Sequence, residues 1–204
     1  MIVLAFLIIL TILAYFSGGF IRKHNVKIYI VATIVSLLAF VLKDKPFTTP
    51  IMQGFLGLSF FYIVMITGAI DKKHKIKAKF LGLRREYSII GFIVITPHAL
   101  NYTLQGLNGT IVLEWFGIIS FVLMIPLFVT SFLTIRKKMK AKTWNLIQSA
   151  AYIIYLLLFI HLILNYTQRI NLVLYLVIFI FYFIMKIMYE IKKFKTKKNK
   201  RLVT

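Results

Sequence analysis

Residues 144–164 read WNLIQSAAYIIYLLLFIHLIL, and no Asp, Glu, Lys or Arg interrupts them. At about 1.5 Å per helical residue this run is long enough to cross a hydrocarbon core of roughly 30 Å. It is continuous, whereas a strand of a membrane barrel would alternate over about ten residues, so the run is read as a helix. Six further apolar runs lie at 2–20, 26–42, 51–70, 87–104, 111–135 and 170–188. The spacing therefore predicts an all-α, polytopic transmembrane helical bundle of about seven spans, or six if the short run at 26–42 does not cross.

Composition agrees with that reading. Of the 204 residues 60% are hydrophobic, and the mean hydropathy is +0.87. The net charge of +21 does not point to nucleic acid, because all but three of the 26 Lys and Arg fall in the segments 22–27, 71–86, 136–142 and 186–204, which occupy one side of the predicted bundle. The three exceptions are Lys43, Lys45 and Arg169. By the positive-inside rule the N-terminus is outside and the C-terminal KKFKTKKNKR tail cytoplasmic. Lipid headgroups account for these basic segments, and a docking surface for an acidic electron-donor protein is the other reading. The first run lacks a basic leader and a small-residue cleavage site, so it reads as a retained span. With no Cys, disulfides, thiolate catalysis, iron–sulfur clusters and Cys-ligated haem are excluded.

Two histidines sit inside the apolar runs. His98 occupies YSIIGFIVITPHALNYTL at 87–104, and His161 lies near the end of the run at 144–164. An imidazole in hydrocarbon needs a partner, so each is a candidate functional group. Both helices run outward, which places both rings in the outer half of the membrane, with His161 about 5 Å from the outer end of its span. A b-type haem between two axial imidazoles, hydrogen bonds between helices, and a proton or ion path all satisfy this arrangement. A closed zinc site fits less well, since only Glu114 shares the layer. Asn101, Tyr102 and Gln105 continue the face of His98, and Asn165 follows His161 by one turn. With Arg169 these are candidates to orient the rings or to receive haem propionates. Pro97 is expected to loosen the helix beside His98.

The segment LGLRREYSIIGFIVITPHALNYTL at 81–104 resembles the ferric-reductase-like transmembrane domain family, in which an Arg-Arg pair opens a span and a haem-ligating His follows. LEWFGIISFVLMIPLFVTSFLTIRKKMKAKTWNLIQSAAYIIYLLLFIHLIL at 113–164 is similar to the same family's pattern of a Thr-Ser pair, a basic loop, an aromatic residue and a span ending in His. The closest branch is the bacterial haem-binding subunit of the methionine sulfoxide reductase system (MsrQ type). The resemblance covers about residues 51–190, leaving 1–50 as two additional N-terminal spans and 191–204 as a basic cytoplasmic tail.

By this resemblance His98 and His161 are axial ligands of haem b in a multi-pass protein of the bacterial plasma membrane. Relatives carry a second His at the position of Gln148, so a single haem in the outer layer is implied. Arg85 and Gln148 are then candidates for an inner quinone or flavin (FMN) site. No GxGxxG motif follows a strand, so electrons would come from a separate flavoprotein, a flavin or the quinone pool, and go to an extracytoplasmic acceptor. The alternative is a non-enzymatic transport or assembly component whose histidines relay protons or pack helices.

Overall fold

The structure is a computed structural model that describes residues 2–71, 73–165 and 169–203, without the side chains at 169–171 and 196–203. Its helices are α1 (Ile2–Phe16), α2 (Gly18–Lys23), α3 (Asn25–Val41), α4 (Thr49–Met52), α5 (Phe55–Thr67), α6 (Lys75–Leu107), α7 (Trp115–Ser131), α8 (Leu133–Arg136), α9 (Ala141–Ser149), α10 (Ala151–Asn165) and α11 (Arg169–Val203). A 3-10 turn at Pro46–Thr48 precedes α4. The described residues contain no strand.

Every predicted apolar run falls on helix, with local breaks that the sequence explains. Ser17, at the head of a Gly-Gly pair, separates α1 from α2, and Gly54 separates α4 from α5 in a left-handed turn at φ +74° that favours glycine. Pro97 does not interrupt α6, which continues through it.

Three stretches are long and apolar enough to cross a membrane: Pro46–Thr67, Ala141–Asn165 and Leu172–Lys195. α1, α3 and α7 are apolar but shorter. The 87–104 run lies within the 33-residue α6, whose first third carries Lys75, Lys77, Lys79, Arg84 and Arg85 and whose later part is diluted by Pro97, His98 and Asn101.

The centre of the fold is the contact between α5 and α6. A Cβ at Gly57 would sit 2.8 Å from Ile95 Cδ1 and 3.2 Å from its Cα, and one at Gly91 would sit 3.0 Å from Phe60 Cβ. The missing side chains let the two backbones approach, which is how helices associate where no aqueous hydrophobic effect drives them. α1 lies along this pair, held by Tyr87 Oη donating to the Leu10 carbonyl at 2.8 Å, and α3 packs on α6. α7 packs on α6, α10 on α7 and α11 on α10, so the chain closes its second half around the first. Tyr62 Oη reaches from α5 to the Ile178 carbonyl of α11 at 3.1 Å.

The halves differ in burial. Of the most apolar window in Pro46–Thr67, 61% is buried, against 17% for Ala141–Asn165 and 22% for Leu172–Lys195. The two later stretches present their apolar faces outward, the arrangement expected where lipid is the solvent. At the basic end Asp71 accepts a hydrogen bond from Lys192 of α11, which holds its carboxyl below the usual carboxylate range.

Candidate functional site

His98 on α6 and His161 on α10 face one cavity of about 460 Å³, with ring centroids 6.5 Å apart. α10 packs mainly on α7 and α11, and α7 on α6, and the two rings stand edge to face at the cavity.

Each ring is held from behind. His98 Nδ1 lies 2.9 Å from the Met52 carbonyl, which can only accept, so Nδ1 carries the proton and in the neutral ring Nε2 carries the lone pair. Met52 ends α4, where carbonyls have no helical partner, and the left-handed turn at Gly54 brings that carbonyl to α6. A Cβ at Gly54 would stand 3.2 Å from His98 Cδ2, so glycine is required there by conformation and by space. His161 is backed by Gly117 of α7, whose absent Cβ would lie 3.0 Å from its Cε1.

At the same end Asn165 Nδ2 reaches Glu114 Oε2 at 2.9 Å, the His161 carbonyl at 2.8 Å and His161 Nδ1 at 3.1 Å. An amide has two protons, and the two shorter contacts use them. Glu114 Oε2 also stands 4.0 Å from His161 Nδ1. His98 Nδ1 thus has a carbonyl acceptor, whereas His161 Nδ1 faces an amide donor whose protons go elsewhere, and among the described residues neither Nε2 has a hydrogen-bond partner. The bond to Met52 is the kind that orients a ligating imidazole, which gives its other N–H to a carbonyl; His161 Nδ1 has its nearest carboxylate, Glu114, at 4.0 Å.

Two imidazole nitrogens about 2 Å from one metal, each about 1.2 Å from its ring centre, put the ring centres roughly 6.4 Å apart. The observed separation fits that span. No group of three or more His, Asp and Glu suited to a metal ion occurs among the described residues. A free ion needing four protein ligands is therefore poorly served, whereas a group that brings its other donors with it would need only the two imidazoles.

Of the other expected site residues, Tyr102 and Asn165 line this cavity, and Tyr102 Oη donates to Gln53 Oε1 at 3.1 Å. Asn101 is buried but does not line the cavity, nor does Gln105, whose backbone carbonyl instead accepts from Thr110. The side chain of Arg169 lies outside the described residues.

Arg85 and Gln148 line a second cavity of about 340 Å³ toward the basic loops, together with Arg84, Arg136 and Trp144. Gln148 Nε2 donates to Thr130 Oγ1 at 3.1 Å and to the Leu127 carbonyl at 3.3 Å, and Trp144 Nε1 donates to the Thr130 carbonyl at 3.1 Å. These bonds satisfy the C-terminal carbonyls of α7. Phe61 and Met124 line both cavities and form the wall between them.

Sequence reasoning missed the Met52 carbonyl, Gly54, Gly117 and the buried carboxylate of Glu86, which pairs with Arg85. Glu86 was visible as one of only five acidic residues, at the mouth of an apolar run. Gly117 carried no such signal, since only the packing of α7 against α10 gives it a role.

No protein-family model matches the chain, and no solved structure does. The chain is 29% identical over 124 residues to an uncharacterized protein of Treponema pallidum (strain Nichols), a match that takes in 55% of this chain and 34% of the relative. The chain thus spans about a third of that protein's length.

Proposed function

We propose that this chain is a haem b electron-transfer subunit of a cell membrane: its residues hold and tune the group, and the reactions belong to its partners.

 

Haem b supplies a one-electron carrier when bound. His98 and His161 would hold it, and the observation that carries the reading is their 6.5 Å separation at one cavity, with His98 Nδ1 bonded from behind to the Met52 carbonyl. The resemblance to the ferric-reductase-like family, in its MsrQ-type branch, supports the same assignment.

On this reading all seven apolar runs span, the N-terminus is outside and the basic tail cytoplasmic. A separate flavoprotein, a flavin or the quinone pool donates at the basic end, beside Arg85 and Gln148, and an extracytoplasmic acceptor takes the electron near Tyr102 and Asn165. The residues of this chain contribute the fixed tautomer of His98, the contact of Asn165 with Glu114 and the His161 carbonyl beside the second ring, and the apolar part of the cavity wall.

Full-length chain purified in mild detergent after expression with ample haem is expected to give a low-spin b-type reduced-minus-oxidised spectrum at about one haem per chain. A well-folded, haem-free preparation would overturn the assignment. Gly117→Val tests the backing of His161: the added methyls enter space held by the ring, so haem occupancy should fall severalfold while the helical content is kept. Unchanged occupancy would show that the ring position is not set by this contact.

A further inference from the structure

The turn between α6 and α7 carries apolar side chains where a turn facing water would be polar. Residues 107–115 read LNGTIVLEW, with Leu107 68%, Val112 81% and Trp115 62% exposed. The turn is held by its own backbone. Asn108 N donates to the Leu104 carbonyl and Thr110 N to the Gln105 carbonyl, each at 3.0 Å, and Gly109 takes the left-handed conformation at φ +72° that caps α6. Leu113 folds back over Gly106, where a Cβ would stand 3.2 Å from the Leu113 Cα. Leu113 is thus turned onto α6, while Val112 beside it is held out.

Leu100, Leu104 and Leu107 follow one another by a turn along α6 and are all exposed, so an outward apolar strip runs up the helix and onto the tip without a break. No Lys or Arg occurs from 86 to 135, and the one carboxylate of the turn, Glu114, accepts a hydrogen bond from Asn165. The tip therefore offers little to a charged partner, and its strip continues the surface that faces lipid. Trp115 is half a turn from Gly117, which backs His161 near the end of its apolar run, so the indole stands at the level where that run ends. Amphipathic rings collect at that level of a bilayer. We propose that the α6–α7 turn is a lipid anchor: Leu107, Val112 and Trp115 insert at the headgroup boundary of the outer leaflet and hold Glu114, with the mouth of the histidine cavity, at the membrane surface. The proposal rests on the chain spanning a bilayer, and it does not depend on haem.

The chain has no Cys, so a nitroxide label can be placed at one chosen site without removing any residue first. Leu107→Cys and Val112→Cys in the full chain, labelled and reconstituted into vesicles of phosphatidylcholine and phosphatidylglycerol, are compared with two references. Ile180→Cys lies exposed midway along the apolar stretch of α11, and Lys138→Cys lies exposed in a basic loop. Collision of each label with oxygen, which concentrates in lipid, is measured against collision with a water-soluble nickel chelate. The oxygen-to-nickel ratio at 107 and 112 should lie severalfold above that at 138 and approach that at 180. Val112→Cys alters a side chain that projects from the fold, so the label reports on the tip without disturbing the packing beneath it.

A ratio like that of 138 at both tip sites would overturn the proposal. So would labels immobilised and shielded from both reagents, because a second copy or another protein would then cover the tip. Aqueous behaviour at 180 as well would overturn the spanning reading along with the proposal, whereas aqueous behaviour at the tip alone would leave that reading standing. The visible spectrum of the same samples reports separately on the histidine cavity.

Discussion

His98→Ala and His161→Ala should each purify with no low-spin haem, where the parent chain carries about one equivalent. Coordination by two opposed rings is lost when either is removed, because no third His, Cys or carboxylate cluster stands ready to replace it among the described residues. The two variants should nevertheless differ in stability. Removing His98 strands the Met52 carbonyl at the end of α4, at a cost of about 1–3 kcal/mol for an unpaired buried acceptor. Removing His161 strands only the contact with Asn165, whose amide keeps Glu114 and the helix carbonyl. Comparison of the thermal midpoints of the haem-free proteins thus separates the structural part of each histidine from its part as a ligand. A full haem complement in both variants would sink the assignment.

Arg85→Ala is expected to destabilise the fold by about 3 kcal/mol, because it leaves the Glu86 carboxylate buried without its partner. Glu86 is 1% exposed, so water cannot replace the guanidinium. The companion variant Arg85→Ala/Glu86→Gln removes the charge with the partner and should recover more than half of the loss in a detergent thermal melt. If Arg85→Ala alone melts with the parent chain, the pair does not bear on stability and the carboxylate is neutralised by other means.

The helical fold was legible because hydrocarbon forces the backbone to satisfy itself, and runs such as 144–164 have few alternatives. Where the helices break was harder to see. Gly54 looks like one small residue within an apolar run, and its left-handed turn is a local event that periodicity over a span does not register. The histidine pair stood out because ionisable residues are rare in such runs, and their proximity agrees with a common depth counted along two runs expected to cross in the same direction. Their supports did not stand out. The Met52 carbonyl is a backbone group that any residue would supply, and Gly117 matters only because α7 happens to face His161. The joint placement of Arg85 and Gln148 is a tertiary fact, since 63 positions separate them and a basic loop lies between.

The separation of α6 from α10 has a consequence for how the protein is made. His98 leaves the ribosome well before His161, and it enters a half that packs closely on its own, whereas α10 packs mainly on the later helices α7 and α11. A site that needs both rings is complete only after the penultimate long helix has been inserted, so loading must follow synthesis. A group that bridged the rings, as proposed, would act as a clasp between an early, well-buried unit and a late one with its apolar face outward. Its binding free energy becomes part of the stability of the late helices, and depletion of the bridging group during growth should expose α10 and α11 to proteolytic turnover before the rest of the chain.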